Sequence, residues 1–168
     1  FKNYDQDHPE GKLENKLKLQ ETLGLEVCGD IPMISIIVRL VPQKGIDLIV
    51  HVLEEILAMN VQLVVLGTGE WHYENIFRDA AKRYPKKLSA NIFYDNTLAH
   101  RIYAGSDLFL MPSLYEPCGL AQLFSMKYGT IPIVRETGGL KDTVQPYNEF
   151  TGEGNGFSFA NYNAHDML

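Results

Sequence analysis

Membrane-length apolar runs are absent. The longest mainly apolar stretches, residues 33–38 and 61–66, fall far short of the roughly 20 residues a spanning helix needs, so no membrane partner is expected. Basic excess is absent too. Lys and Arg number 15 against 21 Asp and Glu, a formal net charge of −6, and no basic stripe argues for nucleic acid as a partner. Cysteine is scarce. Cys28 and Cys118 are the only two, and no paired Cys/His spacing supports a zinc site. Two free thiols suit a reducing compartment, so a cytoplasmic location is expected. There is no internal repeat and no low-complexity tract, and with residues 1–11 largely polar and charged no secretory signal is expected. The chain opens without Met and stops without a closing signal at His165-Asp166-Met167-Leu168. A piece of a longer protein is the expectation.

What is present is material for about one domain, 168 residues, of which 45% are hydrophobic, enough to build a core without staples. A polar lead-in with Pro9 and Gly11 covers residues 1–12. Leu13, Leu17, Leu19 and Leu23, stopped by Gly24, predict a helix over 13–23. Apolar runs predict strands over 33–38, 61–66, 90–94, 107–111, 131–134 and, last, 156–159. Ile46, Ile49, Val50, Leu53, Ile56 and Leu57 repeat as one helical face. Further helices are predicted over 71–84, 98–104 and 120–128, closed by Pro85, Gly105 and Gly129, and over 140–144. Strand and helix in this alternation predict an α/β fold, a doubly wound parallel sheet covered on both faces. Such sheets bind ligands beyond the carboxyl ends of their strands. The loops to inspect are therefore 39–45, 67–71, 94–97, 111–119 and 135–139.

Loop 39–45 places Arg39 and Lys44 on either side of a turn, after a strand and before a helix. Free N–H groups and a partial positive charge at a helix start suit an anion there. Simple solvation of two cations at a sheet edge is the alternative. Loop 135–139 offers Thr137, Gly138 and Gly139, a second place where backbone can approach a phosphate, with Thr137 as hydroxyl and helix cap; a plain tight turn is the alternative. In loop 111–119, Glu116 precedes Pro117 and is held extended. A carboxylate fixed there can bind sugar hydroxyls or be a solvated loop acid. Without a second acid nearby it does not indicate a glycosidase. Cys118 has no partner His at a telling distance. Gly67-Thr68-Gly69 begins like a dinucleotide fingerprint, but His72 stands where the third Gly belongs, and no Walker Gly-Lys-Ser/Thr exists. Asp5-Gln6-Asp7 sits in the polar lead-in, His51 reads as helix surface, and His8, His72 and His165 carry no readable role. Tyr4, Trp71 and Tyr147 are aromatics expected to pack in core or surface.

Taken together the chain resembles the starch/glycogen synthase family, bacterial glycogen synthases above all, which are glucosyltransferases of the two-domain GT-B fold. The resemblance rests on Arg39-Leu40-x-x-Gln43-Lys44-Gly45, Tyr94, His100-Arg101, and Pro112-Ser113-x-x-Glu116-Pro117-Cys118-Gly119-Leu120-x-Gln122-Leu123. It continues through Tyr128-Gly129-Thr130-x-Pro132 and Thr137-Gly138-Gly139-Leu140-x-Asp142-Thr143-Val144. Phe124 stands where many other retaining GT-B transferases carry a second Glu, and that suits this branch.

The resemblance implies a Rossmann-like, carboxy-terminal donor-binding domain spanning 1–168. Arg39 and Lys44 are expected to hold the diphosphate of a sugar nucleotide, with Thr137, Gly138 and Gly139 on the phosphates or sugar. Tyr94 is expected to stack on the base, adenine in ADP-glucose. Glu116, the family's marked carboxylate, is expected to face glucose, with Cys118, Gly119 and Leu120 against it. The implied reaction moves glucose from ADP-glucose to the non-reducing end of an α-1,4-glucan with retention, the acceptor held by an amino-terminal domain that this sequence lacks. No metal and no cofactor are expected. The isolated chain is expected to bind ADP but to be largely inactive. Two rivals stand beside this: a GT-B transferase using a UDP-sugar, and a non-catalytic nucleotide- or glucan-binding module.

Overall fold

The computed structural model describes residues 1–168. Six strands form one sheet: β1 (Met33–Ile37), β2 (Gln62–Leu66), β3 (Leu88–Asn91), β4 (Leu108–Met111), β5 (Ile131–Arg135) and β6 (Phe157–Phe159). Their order is β3-β2-β1-β4-β5-β6, and every neighbouring pair is parallel. This is the doubly wound α/β arrangement, Rossmann-like in strand order. The order reverses between β1 and β4, which opens a crevice at their carboxyl ends.

Side chains alternate between two apolar layers. Leu63 and Val65 of β2 join one cluster, Val64 and Leu66 the other. Helices α2 (Ile46–His51), α3 (Leu53–Ala58), α4 (Trp71–Arg83) and α8 (Ala164–Met167) pack on the first face. Helices α1 (Glu10–Leu23), α5 (Asn96–Gly105), α6 (Ala121–Lys127) and α7 (Gly138–Thr143) pack on the second. Phe77 on the first face and Phe109 on the second are fully buried. Truncating either to Ala costs about 3–5 kcal/mol.

Helix α1 is fastened by lysines rather than by apolar residues alone. Lys16 is buried, and its Nζ donates to Asp107 Oδ2 at 2.7 Å and to the Gly29 carbonyl at 2.8 Å. Lys12 Nζ reaches Thr130 Oγ1 at 2.8 Å and the carbonyls of Tyr128, Ala104 and Tyr103 at 3.1–3.3 Å.

Several expected boundaries move. The single helix over 46–57 is two, because Val52 leaves helical geometry at φ −112° and ψ 17°. The break lets Val52 and Leu53, adjacent in sequence, both reach the core. The third strand begins at Leu88 and ends at Asn91, not at residue 94, because pairing with Leu63–Leu66 fixes its register. Phe93 and Tyr94 therefore lie in the following loop, both exposed. Helix α1 starts at Glu10, three residues before the expected start at 13, and α7 starts at Gly138 instead of residue 140. Helix α8 was not expected at all.

Candidate functional site

The loops that follow β1 and β4 meet over the crevice. Pro42–Lys44 forms a tight 3-10 turn that Gly45 ends at φ +77°. A Cβ at Gly45 would sit 2.0 Å from the Pro112 carbonyl oxygen, so only glycine lets the two loops approach. The Leu114 N–H donates to the Gln43 carbonyl at 3.0 Å and ties them together. Above that tie, Lys44 Nζ donates to Glu116 Oε2 at 2.8 Å, and Ser113 Oγ donates to the same oxygen at 3.2 Å. The Lys44 and Glu116 side chains are 26% and 13% exposed. Reduced solvent makes charges there interact more strongly than at an open surface.

A third loop closes on the same point. The Gly139 N–H donates to the Glu116 carbonyl at 3.0 Å and approaches the Pro117 carbonyl at 3.2 Å. A Cβ at Gly139 would lie 1.9 Å from the Cys118 carbonyl oxygen, so backbone rides directly on backbone. Two expectations change here. Thr137 holds the N-cap position of α7, but its hydroxyl makes no capping bond and is left free. The Gly139 N–H, expected to serve a phosphate, is committed to the Glu116 loop. Helix α7 thus positions the carboxylate as well as bordering it.

Beside the crevice lies a pocket of about 250 Å³ lined by Arg39, Gly67, Thr68, Tyr94, Asp95, Asn96 and neighbouring apolar side chains. Tyr94 is 89% exposed and offers its ring to this space. Arg39 is exposed and belongs to none of the nine ion pairs, so its charge is uncommitted. The two glycines that failed as a dinucleotide fingerprint have another use. Gly69 bridges to Leu40 in parallel, which seats the loop after β2 against the loop after β1.

Cys118 and Leu120 are exposed on the last turn before α6, and Gly119 takes φ +68° there. Gln122 is fully buried beneath this turn. Its Nε2 donates toward the Cys118 and Gly119 carbonyls and Thr143 Oγ1 at 3.0–3.2 Å, while its Oε1 has no partner. The expected site residues thus converge on one edge of the sheet: Lys44, Glu116, Thr137, Gly138 and Gly139 at the crevice, Arg39 and Tyr94 at the adjoining pocket. Sequence reasoning assigned no role to Ser113, Gln122 or Arg135. Arg135, the last residue of β5, donates through Nε to the Ser113 carbonyl at 2.9 Å and through a terminal nitrogen to the Leu114 carbonyl. A cation closing a strand was the available signal.

Other candidates lie elsewhere. Asp5 Oδ1 accepts from the Asp7 and His8 N–H groups and so caps its own turn. No group of three His, Cys, Asp or Glu is placed to hold a metal ion. Tyr4 is structural, its hydroxyl donating to the Tyr128 carbonyl at 2.6 Å. Trp71, expected to pack, is 75% exposed at the start of α4, on the same edge as the pocket. Tyr147 is half exposed on the loop before β6.

Residues 28–168 match the family described as Glycosyl transferases group 1. The chain belongs to that family. Within it, the chain is 61% identical over 168 residues to a glycogen synthase of Clostridium acetobutylicum, and 59% identical over 168 residues to one of Alkaliphilus metalliredigens. Each match covers 100% of this chain but 35% of the relative. The chain therefore spans about a third of the length of these curated relatives. Its fold matches the catalytic domain of starch synthase IV from Arabidopsis thaliana, solved bound to ADP and acarbose, with a TM-score of 0.89 and 37% identity. That match covers 98% of this chain and 35% of the plant chain. The carboxy-terminal domain of the group 1 transferase LpcC from Francisella tularensis is similar at a TM-score of 0.61 over 92% of this chain and 78% of that one. At 17% identity the second likeness concerns the fold alone. No helix is long and apolar enough to cross a membrane.

Proposed function

We propose that this chain is the donor-binding, carboxy-terminal domain of a two-domain retaining glucosyltransferase of the GT-B type. The intact enzyme moves glucose from ADP-glucose to the non-reducing end of an α-1,4-glucan in the cytoplasm. The observation that carries this is the Lys44–Glu116 contact at the strand-order switch, set beside a pocket with an uncommitted Arg39 and an open Tyr94 ring. A diphosphate spans cations, a base stacks on an aromatic ring, and a hexose meets one fixed carboxylate. The glycogen synthases it matches and the ADP in the similar plant structure support the same donor.

In the reaction, the bond between glucose C1 and the diphosphate oxygen breaks, and the acceptor oxygen forms the new bond to C1 while its proton passes to the departing diphosphate. The diphosphate leaves with the bonding electron pair. Arg39 and Lys44 stabilise that charge electrostatically, the largest contribution the chain makes. Glu116 binds glucose hydroxyls and sits close enough to the crevice to offset positive charge developing on the ring. Thr137 and Gly138 border the phosphates and Cys118, Gly119 and Leu120 the sugar. An amino-terminal domain of the intact enzyme holds the acceptor and excludes water on closure.

Calorimetric titration of the chain with ADP, UDP and NAD in parallel tests this reading. Selective ADP binding without polymer extension is expected. Preference for UDP moves the assignment to another GT-B transferase, and maltooligosaccharide binding without nucleotide affinity moves it to a non-catalytic module.

A further inference from the structure

We infer that Arg135 and Tyr162 form a cation–π positioning pair that holds the Lys44 turn and the Glu116 loop in register. The consequence for ligand binding rests on the donor-site reading above.

The guanidinium of Arg135 reaches two segments. It donates to the Ser113 carbonyl at 2.9 Å, to the Leu114 carbonyl, and to the Ala160 carbonyl at 3.3 Å. Its planar fork suits several fixed acceptors in a way a lysine does not. The guanidinium also lies over the Tyr162 ring, 5.6 Å from the centroid, within range of a cation–π attraction. The Tyr162 hydroxyl points to the other loop. It donates to Asp47 Oδ1 at 2.5 Å, with the Pro42 carbonyl oxygen at 3.2 Å. Burial first, and the bond to Asp47 next, push the phenol above its ordinary range, so it stays a donor at working pH.

Both arms of the pair end at the site. Ser113 is gripped by its carbonyl, and its hydroxyl donates to Glu116. Leu114 is gripped by its carbonyl, and its N–H donates to Gln43, next to Lys44. Pro42, beside the Tyr162 hydroxyl, opens the turn that carries Lys44. Neither Arg135 nor Tyr162 touches Lys44 or Glu116 itself. Arg135 acts through the backbone of the Glu116 loop and Tyr162 through the Asp47 carboxylate just past the Lys44 turn, and only together do they reach both.

Amide hydrogen exchange on the chain tests the pair without any ligand. Arg135→Gln is expected to speed exchange of the Leu114 and Gly139 amides by about tenfold or more while the Val64 amide of β2 stays unchanged, the pattern of local rather than global opening. Equal protection of Leu114 and Gly139 in wild type and variant overturns the inference, and so does uniform acceleration that includes Val64. A second arm uses Tyr162→Phe, which keeps the ring and removes the hydroxyl. ADP affinity is expected to fall about fivefold in the wild-type background and not further on Lys44→Ala, since groups acting through one another are non-additive. An equal loss in both backgrounds overturns it. Failure of the wild-type chain to bind ADP removes the donor reading instead, and the exchange experiment still decides the pair.

Discussion

Lys44 Nζ and Glu116 Oε2, 72 residues apart in sequence, stand 2.8 Å from each other where the loops after β1 and β4 meet. The contact joins the residue expected to hold a diphosphate to the one expected to face a hexose. On the proposed donor reading, the carboxylate draws on the same ammonium that a diphosphate would use, and a bound nucleotide and Glu116 would compete for Lys44.

That competition predicts a gain from losing a site residue. Glu116→Gln keeps the shape, removes the negative charge and frees Lys44. ADP affinity of the chain is expected to rise about three- to tenfold, up to roughly 1.4 kcal/mol. Isothermal titration at fixed salt measures it. A Kd equal to or weaker than wild type refutes the shared use of Lys44. The intact enzyme carrying the same change is expected to lose transfer activity.

On the proposed donor reading, Arg39 and Lys44 supply the positive charge often delivered to a diphosphate by a divalent ion. ADP affinity is expected to be the same in excess chelator as in magnesium. Arg39→Ala or Lys44→Ala is expected to weaken ADP by about 2 kcal/mol, the scale of a lost charge-assisted bond. Binding that needs magnesium, or that survives both substitutions intact, sinks this assignment of charge.

Gly139 separates sterics from backbone strain, since its φ is not in the left-handed region and alanine can adopt its conformation. The whole effect of Gly139→Ala comes from a Cβ pressed onto the Cys118 carbonyl. Forcing these loops apart is expected to cost at least about 1–3 kcal/mol of stability, the overpacking range. It is also expected to weaken ADP binding, because α7, whose Thr137 and Gly138 border the phosphates in the donor reading, is pushed off its seat on the Glu116 loop. Urea unfolding and titration on one preparation check both. Unchanged affinity means that the loop does not need α7 beneath it.

The sheet was legible in the sequence because its strands are short apolar runs, and parallel order follows from alternation with helices. Lys44, Glu116 and Tyr94 were legible because they fall in loops after strands, and the resemblance added their roles. What was not legible depends on three dimensions. The end of β3 is set by pairing with β2, not by the apolar run through Phe93. The break at Val52 reflects how two adjacent side chains fit one core. Arg135 matters through carbonyls, which leave no mark on residue type, and Tyr162 through Asp47, 115 positions away in sequence. Thr137 looks like a cap in sequence, yet its hydroxyl makes no such bond.

Lys12 shows the same limit and gives a pH signature. In sequence it is one charge in a polar lead-in. In the fold its nitrogen is enclosed by four oxygens, and burial pushes its ammonium down to about 8, against the pull of Asp107 and helped by Lys16. The unfolded chain keeps the ordinary value near 10.5. Between these two values the unfolded state binds more protons than the folded state, so stability rises with pH across that window. From pH 7.5 to 9.5 the contribution of Lys12 is expected to grow by about 1–2 kcal/mol. The neutral amine still donates two of its contacts. Tyr4 and Tyr103, pushed up to about 12 by burial, act with the opposite sign, but only as pH passes 10. Urea unfolding of wild type and Lys12→Met at both pH values isolates Lys12, because every other group cancels in the difference. The wild type is expected to gain on the variant as pH rises. A difference that stays flat or shrinks means that the buried nitrogen is charged at ordinary strength in the fold, held there by its four oxygens.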